Sequence, residues 1–381
     1  MFISDTVKYI GVFDRKTDLF EGQYKIPEGI SYNSYAVLDE KIAVFDTVDI
    51  GFTDEWLKNL DTALEGRLPD YLIVQHMEPD HSASIKIFKD KYPAAAIVAS
   101  AKAFAMMRAF FGTDFSDKQI IVSEGSTLSL GKHTLTFVTA PMVHWPEVIV
   151  TYDSYEKILF SADAFGKFGK TDFSDGWCDE ARRYYIGIVG KYGAQVQALL
   201  KKAAALDIKT ICPLHGPVLT ENLSKYISLY NSWSLYEPEE DAVTIAYASI
   251  YGNTRRAAEL LLSELQKLNK KAEIFDLARC DMKAAVASAF KNSKLVLASA
   301  TYNADVFPVM REFINHLNER GYKKRTVAFM ENGSWAPMAE KVMRAMLEVA
   351  KDITYLETSV KITSALNEES KKQIRLLAEE L

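Results

Sequence analysis

The six residues His76-Met77-Glu78-Pro79-Asp80-His81 carry four side chains able to bind a metal ion. They follow directly on the apolar run Tyr71-Leu72-Ile73-Val74, which reads as a strand feeding a ligand-bearing loop. Two imidazoles with two carboxylates make a hard donor set suited to iron or manganese; thiolate sets select zinc or iron–sulfur clusters. Three more candidates share one context, an apolar strand followed by a turn of small residues or proline. They are His144 in Ala140-Pro141-Met142-Val143-His144-Trp145-Pro146, Asp163 in Leu159-Phe160-Ser161-Ala162-Asp163-Ala164-Phe165, and His215 in Ile211-Cys212-Pro213-Leu214-His215-Gly216-Pro217. Taken singly, each histidine reads more simply as a satisfied loop residue, and Asp163 as a turn residue or helix cap. Taken with the cluster at 76–81 they give seven donors, which suit two ions better than one. Asp163 is placed to bridge ions about 3.5–4 Å apart. His133, in Gly131-Lys132-His133-Thr134, reads as a surface residue, and His316 as a mid-helix residue without a site role.

A second constellation lies further on. Ser249-Ile250-Tyr251-Gly252-Asn253-Thr254 ends a strand and opens a helix. Hydroxyls and backbone N–H groups at a helix N-terminus favour a phosphate, and glycine permits close backbone approach. By itself such a start is more often only a cap. It has neither the GxGxxG of dinucleotide folds nor the Gly-Lys-Ser/Thr of a Walker loop. Two further strand ends carry polar turns, Ser299-Ala300-Thr301-Tyr302-Asn303-Ala304 and Glu331-Asn332-Gly333-Ser334-Trp335. Ligands of open α/β sheets bind at such carboxyl ends, at the topological switch point.

The elements that must position these groups divide at 236–241, where proline and acidic residues interrupt the pattern. The expected domains are 1–238 and 239–381. In the first, strands are expected at 34–38 and 41–46, joined as a hairpin through Asp39-Glu40. More follow at 71–75, 96–99, 119–122, 135–139, 148–152 and 157–160, with helices at 53–64, 101–111 and 179–205. This mixture suggests an α/β fold in the form of an αββα sandwich. After the break, strands at 243–249, 272–277, 295–300, 326–330 and 353–360 alternate with helices at 254–268, 282–290, 307–320, 336–349 and 368–381. That alternation builds a doubly wound parallel sheet.

The 381 residues exceed one ordinary core, and 48% hydrophobic with 25% charged is a globular composition. A net charge of −6 without a basic stripe argues against nucleic acid. No apolar run approaches the roughly 18 residues of a membrane span, and no secretory signal is evident. Cys178, Cys212 and Cys280 are dispersed and form no CxxC pair, so a cytoplasmic chain with reduced thiols is expected.

The layout HxHxDH…H…D…H belongs to the metallo-β-lactamase superfamily, whose hydrolases bind zinc. Here Glu78 replaces a histidine of that pattern, and HxExDH followed by His144, Asp163 and His215 resembles the flavodiiron proteins. The stretch Asp179-Glu180-Ala181-Arg182-Arg183-Tyr184-Tyr185 is similar to them too, and the Ser249–Thr254 loop resembles the phosphate loop of flavodoxins. The resemblance spans nearly the whole chain. It implies a metallo-β-lactamase-like domain and a flavodoxin-like domain of strand order 2-1-3-4-5. It implies His76, Glu78 and His144 on the iron nearer an FMN, Asp80, His81 and His215 on the other, and Asp163 bridging. The implied activity is reduction of dioxygen to water or of nitric oxide to nitrous oxide, in a head-to-tail homodimer or tetramer. Electrons would come from a separate donor such as rubredoxin or a reduced deazaflavin. The FMN site departs in two places: Ala300 stands where proline is frequent, and the 331–335 loop differs from the tyrosine-glycine-tryptophan type. Two rivals remain, a dizinc hydrolase fused to a flavodoxin domain and a non-catalytic flavoprotein electron carrier. Glu78 and the complete donor set weigh against them.

Overall fold

A computed structural model describes residues 2–381. The chain divides into two compact units. The first runs to Tyr185 and resumes over Tyr192–Ser234; the second takes Ile186–Lys191 and Leu235–Leu381.

The first unit contains a six-stranded and a five-stranded sheet. The six-stranded sheet begins with Val7–Tyr9 and the hairpin Tyr35–Leu38 to Ile42–Phe45, in register Leu38 to Ile42 across Asp39-Glu40. Tyr71–Val74, Ala96–Ser100 and Gln119–Val122 then add in parallel. The five-stranded sheet runs Thr127–Ser129, Thr134–Thr139, Ile149–Asp153, Ile158–Phe160 and Thr210–Cys212. Thr210–Cys212 is the short apolar strand read ahead of His215, whereas Thr127–Ser129, only three residues long, was not anticipated from the sequence. Alternate residues of both sheets face one core, in which Phe45 and Phe160 stack at 3.9 Å between ring centroids. Burying one such ring contributes roughly 2–3 kcal/mol.

The helices at Thr53–Leu64 and Ala101–Phe111 form as their periodicity requires. Each ends on a left-handed residue, Glu65 and Gly112 respectively. The helix expected over 179–205 is instead broken. Cys178–Tyr184 is followed by a π-helical turn at Tyr185–Val189 and a 3₁₀ turn at Gly190–Tyr192, before the helix resumes at Gly193–Ala203. Gly187, Gly190 and Gly193 recur at three-residue spacing, and each costs about 1 kcal/mol in a regular helix interior.

In the second unit the parallel strands lie in the order Ala272–Asp276, Glu240–Ala248, Asn292–Tyr302, Lys323–Asn332, Lys351–Tyr355, which is 2-1-3-4-5. The single strand expected over 353–360 is split, Val360–Ile362 forming its own pairing with Lys323–Asn332. Asn253–Lys267 and Glu368–Glu380 cover one face, burying Ala257, Leu261, Leu265, Ile374 and Leu377.

Candidate functional site

All seven donors predicted from the sequence converge in the first unit, in two groups: His76, Glu78, His144 and Asp163, and Asp80, His81 and His215. The strand Tyr71–Val74 delivers His76, and the short helix Pro79–Ser82 presents Asp80 and His81. Glu78 stands at the N-cap of that helix, and the other three, His144, Asp163 and His215, stand on loops that leave the five-stranded sheet.

In the first group Nε2 of His144 lies 3.0 Å from Glu78 Oε2 and 2.9 Å from Asp163 Oδ2. Nε2 of His76 lies 3.3 Å from Glu78 Oε2, 3.4 Å from Asp163 Oδ2 and 3.3 Å from His144 Nε2. In the second, His81 Nε2 is 3.0 Å from His215 Nε2, 3.3 Å from Asp80 Oδ2 and 3.5 Å from Asp163 Oδ1. Asp163 therefore offers one oxygen to each group. Donors about 2.1 Å from a common ion stand about 3–3.4 Å apart, the spacing found here.

The local chemistry supports a cation at each position. Both oxygens of Asp80 are buried without a hydrogen-bond donor among the described residues, and the buried oxygens of Asp163 face ring nitrogens of the cluster. Such carboxylates are costly to bury unless a cation meets them. Burial opposes the ionised form of Asp163, but His76, His144 and His81 hold its carboxyl well below the usual range. Burial and then the charges of Glu78 and Asp163 push Asp80 well up. Burial works against a charged His144, yet Asp163 and Glu78 raise its imidazole to about 9. Burial instead pushes the imidazoles of His81 and His215 down.

Several supporting residues were not singled out in the sequence. His76 Nδ1 donates to Glu147 Oε1 at 2.9 Å, and the Met77 N–H donates to the same oxygen at 2.8 Å. His215 Nδ1 donates to the Ser31 carbonyl at 2.7 Å. Each bond fixes its ring so that Nε2 keeps a lone pair for the centre. Asp46 accepts from the N–H groups of Gln75 and His76 at 2.8 and 3.2 Å, anchoring the loop at its root. Burial pushes the Asp46 carboxyl up to about 7 against those bonds. Tyr184 is fully buried and its hydroxyl has no partner among the described residues. Burial, then Asp163, Glu78 and Asp80, raise its pKa far above that of a free phenol, so it keeps its proton. Glu147 had a signal: it is a carboxylate three residues beyond His144. His133 is corrected from a surface residue to a buried one, its Nδ1 2.9 Å from Asp153.

In the second unit a cleft of about 570 Å³ opens at the carboxyl ends of the parallel strands. It is lined by Ser249, Ile250, Tyr251, Asn253 and Thr254, by Ala300, Thr301, Asn303 and Ala304, and by Asn332, Gly333, Ser334 and Trp335. Ala336 and Ser364 also line it, neither anticipated; Ser364 follows the split-off strand Val360–Ile362. Gly252 adopts φ +90° and shapes the loop from behind. Ser299 is buried in the sheet, Tyr302 packs edge-on against Phe307, and Glu331 accepts from the Glu340 N–H at 3.1 Å. These three stand outside the cleft lining. Tyr251 and Trp335 are 91% and 83% exposed, leaving two large rings free at its rim.

Among the described residues no helix is long and apolar enough to cross a membrane. Residues 30–216 match the ODP family beta lactamase domain. The nitric oxide reductase of Moorella thermoacetica is 30% identical over 92% of this chain and 90% of its own length. The rubredoxin oxygen:oxidoreductase of Desulfovibrio gigas superposes with a TM-score of 0.92 at 25% identity, covering 100% of this chain and 96% of that one. The flavodiiron protein of Giardia intestinalis gives 0.92 at 26% identity over the same shares. Likeness of this depth, along the whole chain and through both units, makes the protein a member of the flavodiiron family of oxidoreductases.

Proposed function

We propose that this chain passes electrons from an external donor through FMN to a pair of irons, where dioxygen is reduced to water or nitric oxide to nitrous oxide. The observation that carries the reading is Asp163, whose Oδ2 faces His76 and His144 while its Oδ1 faces His81 and His215. His76, Glu78 and His144 would hold one iron, Asp80, His81 and His215 the other, with Asp163 shared between them. The cleft at 249–254, 300–304 and 332–336 has the volume of a cofactor site and would hold FMN. The metal-binding part is assigned to 1–238 and the flavin part to 239–381.

When bound, FMN and the two irons would supply the four electrons needed to turn dioxygen and four protons into two waters, or the two needed to turn two nitric oxides and two protons into nitrous oxide and water. The chain's own residues do the rest. Glu147 and the Ser31 carbonyl hold His76 and His215 in one tautomer. Ser82 Oγ donates to the Met77 carbonyl at 2.8 Å, and Thr47 Oγ1 to that of His81 at 2.8 Å, so the ligand loop cannot drift. Tyr184 holds an uncommitted O–H beside the three carboxylates, a hydrogen-bond donor for a substrate oxygen. Burial of His76, His81, Asp163 and His215 excludes bulk water from the reacting groups.

Rubredoxin or a reduced deazaflavin is the proposed donor, and a head-to-tail homodimer or tetramer in the cytoplasm the working form. The test is anaerobic: measure iron and FMN in the purified protein, reduce it with each donor, and follow consumption of each gas. Two zincs with no iron, or reduced protein inert to both gases, would overturn the reading. A fully active monomer on size exclusion would overturn the oligomer.

A further inference from the structure

Behind two of the ligand loops lies a cavity of about 20 Å³ that the chemistry above does not use. One wall is the face Val196, Leu199, Leu200 and Ala203 of the helix Gly193–Ala203, whose spacing puts all four on one side. The opposite wall includes Val143 and Ala164, the chain neighbours of His144 and Asp163. Its two hydroxyl-bearing residues are engaged elsewhere. Tyr230 Oη accepts from the Phe165 N–H at 2.6 Å, and Ser161 Oγ donates to the Ala164 carbonyl at 2.7 Å. The remaining surface is hydrocarbon. A space of this size holds about one small molecule, and an apolar wall offers water none of the two to four partners it needs.

The cavity also has an outer neighbour. Leu200 lines both it and a surface groove formed with Ile227, Ser228 and Asn231 of the helix Leu223–Ser234. Leu200 is only half-buried, so one side chain separates solvent from a dry space that ends against two ligand loops.

We propose that this cavity is a holding site for an apolar diatomic gas, entered past Leu200, which concentrates the gas beside the donor cluster. The proposal rests on the gas-reducing function above, but its occupancy can be read without turnover. Apolar cavities in proteins take up xenon. Crystals of the holoprotein under xenon pressure should show anomalous density between Val143, Ala164, Leu199 and Tyr230. Leu200→Trp should abolish that density and raise the half-saturating gas concentration about threefold or more, leaving the rate at saturating gas within about twofold. Ala203→Leu fills the same space with a smaller change and should act in the same direction, should the tryptophan prevent folding. No xenon in the unmodified protein would overturn the proposal. So would xenon lost in either filled variant with the half-saturating concentration unchanged. Xenon bound in a holoprotein that consumes neither gas would leave the holding site standing and bring down the proposed function instead.

Discussion

Glu147 bonds to the His76 ring and the Tyr184 ring packs against that of His215, and each makes a separable prediction. Glu147 accepts two hydrogen bonds, from the His76 ring and the Met77 backbone, while being 2% exposed. Glu147→Ala frees the ring and leaves both donors unpaired. Metal affinity should fall about 10–100-fold, measured by iron retention on dialysis against a chelator. Tyr184 differs because its hydroxyl satisfies nothing within the protein. A buried unpaired hydroxyl costs about 1–3 kcal/mol. Tyr184→Phe should therefore leave the metal-free protein as stable or about 1 kcal/mol more stable, while slowing gas reduction several-fold. Thermal melts and single-turnover rates separate the two effects; a variant both destabilised and fully active would refute the role assigned to this phenol. At this scale the sequence was highly legible. The seven residues chosen for ligand-type side chains beyond apolar strands lie together in two groups. Ser31 was invisible, because it contributes a backbone carbonyl, and every residue has one.

At the scale of elements, the antiparallel pairing of Thr134–Thr139 with Ile149–Asp153 carries its own buried pair. His133 Nδ1 meets Asp153 at 2.9 Å, and its Nε2 lies 3.1 Å from Thr6 Oγ1. Burial disfavours the charged imidazole, but Asp153, Glu156 and Asp39 outweigh it and raise the pKa. A raised folded pKa means the charged pair stabilises fully below the unfolded value of about 6.5, and the gain disappears as pH rises through the folded value. His133→Gln should cost roughly 1–3 kcal/mol near pH 6 and clearly less near pH 9, read from urea midpoints at both. An equal loss at both would show that packing, not charge, holds this corner. Here legibility followed periodicity. The helices Thr53–Leu64 and Ala101–Phe111 were readable to the residue because their apolar stripes are long. Thr127–Ser129 was missed because three residues show no period, and the break at 185–192 because apolar spacing runs straight through it. Isolated glycines were the one sign of that break, and they are common in helices that continue.

On the scale of the whole molecule, each unit has its own hydrophobic core, one between two sheets and one between a parallel sheet and its helices. A ligand that binds only the folded form stabilises the unit that holds it, by about 2.7 kcal/mol at a hundred times its Kd. Calorimetry should resolve two transitions. Chelating the metal should lower one and stripping FMN the other; a single transition lowered by both would contradict independent cores. The second unit, however, is not one continuous stretch of chain. It includes Ile186–Lys191, where the Tyr236 hydroxyl donates to the Gly190 carbonyl at 2.7 Å. This has a consequence for modularity. A fragment beginning near the acidic linker would carry the whole flavin cleft yet lack six residues that belong to its fold, so it should melt lower than the same unit in the intact chain. A cut in the linker therefore does not release the second unit whole.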